Sequence, residues 1–269
     1  MIYGIIILFV LLAAYILPMM GRTGHEGWKA FAGWSYAHRG LHGNGVPENS
    51  MLAFRKAKQA GYGIEFDVHL TKDGTLAVIH DFALNRSTGL EGDVENLRFE
   101  DLSGCYLEGT LETIPVLQDV LELYRGEAPL IIELKPKGNN YSRLCSSVCR
   151  VLENYPGTFC LESFDPRCIR WLRKNRPDWI RGQLVENYLR SSRSKLPWYL
   201  KFLLTNQMLN FLTRPDFIAY KFPDRKHISN WICRNVWGLP GVSWTLKNPE
   251  EFADAVNEDW LPIFEGFLP

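Results

Sequence analysis

Gly63-Ile64-Glu65-Phe66-Asp67-Val68-His69-Leu70 alternates apolar and polar side chains over a strand's length. Successive side chains of a strand point to opposite faces, so Ile64, Phe66 and Val68 share one face and Glu65 and Asp67 the other. The apolar face suits packing against helices. The carboxylates then point to the opposite side, which in a closed barrel is its interior. Ile131-Ile132-Glu133-Leu134-Lys135 repeats the arrangement, with Ile132 and Leu134 toward helices and Glu133 and Lys135 inward. Ala37-His38-Arg39-Gly40 and Val78-Ile79-His80-Asp81 end two further predicted strands in histidines.

Outward from these pieces, apolar runs of strand length alternate with helix-like stretches. Strands are expected over 34–40, 63–70, 130–135, 158–164, 182–185, 217–222, 242–246 and 262–267, and helices over 50–60, 115–124, 141–154, 166–175 and 249–256. Eight β–α units in the stretch 34–269 predict an α/β fold, a (β/α)8 TIM barrel. A doubly wound open sheet is the alternative. Residues 71–114 form an insertion after the second strand, with a Lys72-Asp73-Gly74 turn and a short strand ending at His80. In a barrel it would lie at the C-terminal mouth, where active sites form.

Charged residues make up 22% of the 269-residue chain and hydrophobic ones 46%, enough to build a core. The net charge of zero and the lack of a basic stripe argue against a nucleic-acid partner. The six cysteines show no zinc-type Cys-x-x-Cys pair and read as buried thiols. Residues 2–20 form an apolar run that as a helix would span about 28 Å, close to bilayer thickness. A cleaved signal peptide is the rival, but no basic residue precedes the run and no small-x-small site follows it. The expected layout is a membrane anchor over 1–20, a linker over 21–33 and a catalytic domain over 34–269. Arg22 and Lys29, C-terminal to the run, place that domain on the cytoplasmic side of a single-pass membrane protein.

Three carboxylates crowded at one barrel end repel one another unless a cation sits among them. Oxygen-only ligands call for one hard divalent ion, Mg2+ or Ca2+. Surface ion pairing is the plain alternative for either strand alone, and two such strands side by side speak against it. His38 and His80 could then exchange protons near neutral pH. Asp81 could orient His80, whereas His42 reads as a loop residue, and His25, His69 and His227 have no supporting context.

The chain resembles the glycerophosphodiester phosphodiesterase family at His38-Arg39-Gly40, Pro47-Glu48-Asn49-Ser50, Glu65-Phe66-Asp67-Val68, Thr71-Lys72-Asp73-Gly74, His80-Asp81, Arg86-Ser87-Thr88-Gly89, Glu133-Leu134-Lys135, Ser163-Phe164 and Trp244-Thr245. The resemblance implies Glu65, Asp67 and Glu133 as metal ligands and His38 and His80 as the acid–base pair. It also implies Arg39 and Lys135 as phosphate contacts, with Glu48 and Trp244 in the substrate site. Departures lie near the C-terminus: Leu246-Lys247-Asn248 follows Trp244-Thr245, and Phe264-Glu265-Gly266 replaces the family's usual Thr-Asp. Both bear on head-group preference.

The implied reaction is metal-dependent hydrolysis of a glycerophosphodiester to glycerol 3-phosphate and an alcohol. The alternatives are a lysophospholipase D or head-group phosphodiesterase acting at the membrane, and a non-catalytic head-group-binding module. Residues 196–212, strongly apolar and flanked by Arg190, Arg193, Lys195 and Arg214, suit either a buried barrel helix or an element lying in the membrane interface.

Overall fold

The computed structural model describes residues 1–191 and 194–269. Arg193 therefore lies outside the described residues. Strands β1 (Tyr36–His38), β2 (Gly63–Leu70), β3 (Leu76–Val78), β4 (Leu130–Leu134), β5 (Phe159–Ser163), β6 (Arg181–Val185), β7 (Phe217–Lys221), β8 (Gly241–Leu246) and β9 (Trp260–Phe264) form one sheet. All neighbours pair parallel except β3, which runs antiparallel to β2. Because β1 pairs with both β2 and β9, the sheet closes into an eight-stranded parallel barrel. The expected TIM barrel is thus present, and the open sheet is not.

Alternation along each strand sorts the core into two shells. Ile64, Phe66, Val68, Leu130, Ile132 and Leu134 pack outward against the surrounding helices. Tyr36, Ile131, Cys160, Leu184, Phe217, Ala219, Val242, Leu261 and Ile263 fill the lower barrel interior. Gly182 is required there: a Cβ at this position would come within 2.2 Å of the Phe217 ring. Helices expected from the sequence appear at Met51–Gln59, Leu117–Tyr124, Tyr141–Leu152, Pro166–Asn175 and Pro249–Asn257. Ser50, Asp165 and Asn248 cap the first, fourth and fifth of these with side-chain oxygens.

Two stretches depart from the sequence reading. Residues 21–33 are a packed element, not a free linker. Phe31 is fully buried in the barrel's lower core, Trp28 stacks 4.9 Å from Phe217, and Arg22 is ion-paired and hydrogen-bonded with Asp216. An apolar ring of strand residues at the barrel's N-terminal end needs a cover, and Trp28 and Phe31 supply it. The second stretch, 196–212, breaks into Trp198–Thr205 and Asn210–Thr213, with Gln207 at φ +56° between them. It lies on the barrel's flank, with one side facing a cleft and the other side exposed.

The N-terminal helix Ile2–Ile16 continues in a 3-10 turn to Met19. Ile2–Met19 has mean hydropathy 2.5 and is 6% buried, so it is a candidate membrane span. The insertion folds as a hairpin arm with its own small core of Ala77, Ile79, Leu84, Val94, Leu102, Cys105, Leu107 and Ile114. All six cysteines are free and buried.

Candidate active site

The polar ends of β1, β2 and β4 converge above the apolar interior. Parallel register sets Asp67 beside Glu133 and His38 beside Glu65. Ligand atoms of Glu65, Asp67 and Glu133 lie within 4.8 Å of one another, and all three residues are buried. Lys135 Nζ reaches Asp67 Oδ1 at 3.3 Å and Glu133 Oε1 at 3.2 Å. Among the described residues, Glu65 Oε2 accepts no hydrogen bond and Asp67 Oδ1 has only the Lys135 ammonium beside it. Buried carboxylate oxygens left without donors are costly, and an all-oxygen set of this size suits a hard divalent cation. The three residues therefore fit the expected ion.

The carboxyl groups show the strain of crowding. Burial, then repulsion from Asp67, Glu133 and Glu162, pushes Glu65 well above the ordinary carboxylate range. Burial also raises Glu133, to about 7, against the pull of Lys135. Burial opposes ionisation of Asp67 too, but Lys135, His80, Arg39 and the Asn49 amide overcome it and hold that carboxyl low. One group thus stays ionised while its neighbours resist ionisation.

Each histidine has a carboxylate brace. His38, at the end of β1, pairs its Nδ1 with Glu265 Oε2 at 2.5 Å and sets Nε2 3.8 Å from Glu65 Oε2. Glu265 is held in turn by Lys247 Nζ at 2.6 Å. His80 pairs its Nδ1 with Asp81 Oδ1 at 2.6 Å. Asp81 bonds Arg86, Arg86 bonds Glu48, and Glu48 Oε2 accepts from Arg39 Nη1 at 2.8 Å. Burial lowers both imidazoles, His38 to about 4, against the pull of the carboxylates beside them.

Local sequence explains the placement. Gly40 takes φ +81° with the Ala53 backbone 2.8 Å from any added Cβ, so only glycine lets the chain turn there after Arg39. His80 lies two residues beyond β3, on the hairpin arm. The arm is fastened by Ile79 N donating to Asp67 O at 3.2 Å.

All of His38, Arg39, Glu48, Glu65, Asp67, His80, Glu133 and Lys135 come together at this end. Trp244 borders it, edge-on to Phe164 at 5.4 Å, with its indole N–H donated to Ala219 O. Three residues escaped the sequence reading as members of this site, and a fourth, Glu265, enters that reading only as bearing on head-group preference. Asn49 Nδ2 donates to Asp67 Oδ2 at 2.9 Å, and Glu265 braces His38. His69, fully buried between Glu95 and the His80 carbonyl, holds the arm. Glu162, register partner of Glu133, is a fourth buried carboxyl that burial drives well up. The Glu162 signal was legible, since it shares the inward face of an apolar strand. The other three depend on tertiary contacts.

The model of the glycerophosphoryl diester phosphodiesterase family matches residues 38–255. A glycerophosphodiester phosphodiesterase of Bacillus altitudinis is 45% identical over 39% of this chain and 46% of its own length. One from Caldanaerobacter subterraneus is 35% identical over 56% of this chain and 65% of its own length. The chain thus spans about half to two-thirds of these relatives' length. An Oleispira antarctica phosphodiesterase, solved with the product sn-glycerol-3-phosphate, shares the fold at TM-score 0.72 and 21% identity, over 91% of this chain and 95% of that one. With the family's match running through the barrel from His38 onward, the chain belongs to the glycerophosphoryl diester phosphodiesterase family.

Proposed function

We propose that this protein hydrolyses glycerophosphodiesters to glycerol 3-phosphate and an alcohol. The observation that carries the reading is a buried three-carboxylate cluster set beside two carboxylate-braced histidines. Glu65, Asp67 and Glu133 would hold one divalent cation, which when bound supplies positive charge to a phosphate oxygen. Arg39 and Lys135 add fixed positive charge at the same place. One imidazole takes a proton from the attacking water, or from a glycerol hydroxyl whose cyclic phosphate product water then opens, as the attacking oxygen bonds to phosphorus. The other, acting in its protonated imidazolium form, gives its Nε2 proton to the alcohol oxygen as that oxygen's bond to phosphorus breaks. Glu265 and Asp81 hold the two rings by their Nδ1 atoms, leaving Nε2 for these transfers.

The test uses the full chain in detergent. Release of glycerol 3-phosphate from glycerophosphocholine and glycerophosphoethanolamine is followed with Mg2+, Ca2+ or chelator. Release that chelator stops, and that His38→Ala and His80→Ala each abolish, is expected. Cation binding without release from either diester would overturn the reading.

A second reading, cleavage of a lipid-borne diester at a membrane, is favoured by one observation. A cleft of about 590 Å3 lined by Phe164, Tyr188, Leu196, Leu200, Leu204 and Leu209 lies beside the mouth. Membrane anchoring through Ile2–Met19 belongs to the same proposal. The cytoplasmic assignment then rests mainly on Lys29, because Arg22 is engaged by Asp216.

A further inference from the structure

Helix Trp198–Thr205 is apolar all round apart from Lys201. Leu200 and Leu204 line the flank cleft, while Trp198, Tyr199 and Phe202 point away and are 76%, 52% and 39% exposed. Phe211 extends the patch. A helix apolar on every side belongs in a buried setting, and in water this one has only one side covered.

The patch continues onto a neighbouring element. Gln207 donates to Asn230 Oδ1 at 2.7 Å, and Ser229 Oγ donates to Thr205 O at 3.2 Å. These bonds fix the helix Ile228–Trp231, whose Ile228 and Trp231 are exposed, at the same corner. The N-terminal helix is anchored there too. Tyr15 Oη donates to Asn206 Oδ1 at 2.6 Å, Trp237 Nε1 to Ile16 O at 3.0 Å and Asn210 Nδ2 to Met19 O at 3.3 Å. Charge points the same way. Between Glu186 and Asp216 the sequence holds Arg190, Arg193, Lys195, Lys201 and Arg214 and no carboxylate.

We propose that the face carrying Trp198, Tyr199, Phe202 and Trp231 docks onto the surface of an anionic bilayer, beside the point where the N-terminal helix enters it. Aromatic side chains favour the headgroup level and basic residues favour anionic lipid. The bonds at Tyr15, Ile16 and Met19 fix the barrel against the end of the span instead of leaving it on a loose tether. Docking would seat on the lipid surface the helix that walls the flank cleft. The proposal rests on reading Ile2–Met19 as a membrane span, and its test separates the two.

The full chain is reconstituted in phosphatidylcholine vesicles with or without phosphatidylglycerol. Because the native cysteines are buried, a cysteine introduced at an exposed site takes an environment-sensitive label selectively. Labels are placed by Phe202→Cys on the patch, Phe9→Cys in the span and Leu111→Cys on the remote hairpin arm, where residue 111 is 88% exposed. Quenching by acyl-brominated lipid is then read. The expected result is several-fold stronger quenching at 202 than at 111. It should weaken without phosphatidylglycerol and in the Lys195→Glu, Lys201→Glu background.

Quenching at 9 but not at 202 would overturn docking while leaving the span intact. Quenching at 202 but not at 9 would remove the span and, with it, docking beside the span's entry point, and quenching at neither would remove both. A 202 label shielded from lipid, with the unlabelled Phe202→Cys protein giving disulfide-linked dimers through residue 202 under mild oxidant, would assign the patch to a second copy of the chain and overturn the proposal.

Discussion

Glu265 has a different bearing in the fold from the one it has in the sequence. As a departure from a family pattern it speaks to head-group preference, whereas in three dimensions it fixes the ring of His38 and is itself held by Lys247. Removing it leaves His38 free to rotate without touching the carboxylate cluster. Glu265→Ala should therefore lower kcat by about ten- to a hundredfold with little change in KM, less than the roughly 10²–10⁴-fold that a general acid–base group itself contributes, because the imidazole remains. Steady-state kinetics on glycerophosphocholine check this, and wild-type kcat would remove Glu265 from that role. Glu133 gives a second prediction. With its carboxyl raised to about 7 by burial, it holds a proton on most molecules at pH 6 and on few at pH 8. A cation needs the ionised form, and Glu65 is raised as well, so the apparent affinity for Mg2+ should tighten roughly tenfold or more between these two values, with at least one proton released on binding. The stability sign is opposite to that of an ion-paired carboxylate. A group whose folded pKa is raised destabilises the metal-free protein as pH rises from the ordinary carboxylate range through about 7. Calorimetry in two buffers would show the released proton, and pH-independent binding would contradict the assignment. These ligands were legible because period-two alternation fixes a strand residue's face. Asn49 was not, because its bond to Asp67 crosses between a loop and a strand.

At the scale of elements, the barrel strands could be read to within two residues because each is a short apolar run bounded by turn residues, except the last, expected over 262–267 and found at Trp260–Phe264. Their neighbours in the barrel follow from chain order. The turn after β2 was equally legible, with Gly74 at φ +92° where Lys72-Asp73-Gly74 calls for it. The interior filling was less so. No local pattern shows that β6 must carry glycine because the ring of Phe217 on β7 occupies the space of its side chain. Gly182→Ala should cost about 1–3 kcal/mol, the usual penalty for overpacking a rigid core. Phe217→Leu in the same chain should recover part of the loss, since the two residues share one space. Chemical denaturation of the two single variants and the double variant measures the coupling. Strict additivity would mean that the ring moves aside without strain.

For the whole molecule, the boundary between anchor and barrel lies inside what composition marks as a linker. Glycines at 21, 24, 27 and 33 suggest loose chain, yet the side chains between them close the barrel's floor. Phe31 is fully buried, Met19 likewise, and Arg22 pairs with an Asp216 carboxylate that is 1% exposed. Two truncations that both remove the span should therefore behave differently. Deleting residues 2–14 removes only exposed helix and should leave a folded, water-soluble enzyme with its kinetics on glycerophosphocholine intact. Deleting 1–33 strips Met19, Trp28 and Phe31 from the core and leaves Asp216 without Arg22. At about 1.5–3 kcal/mol for each large buried side chain, and about 1–3 kcal/mol for the abandoned carboxylate, the loss is comparable with the whole stability of a typical domain. That fragment should aggregate or melt far below the shorter deletion, as circular dichroism and size-exclusion chromatography would show. Equal melting temperatures for the two would mean that the segment merely rests against the barrel, and that the floor is closed by the strands alone.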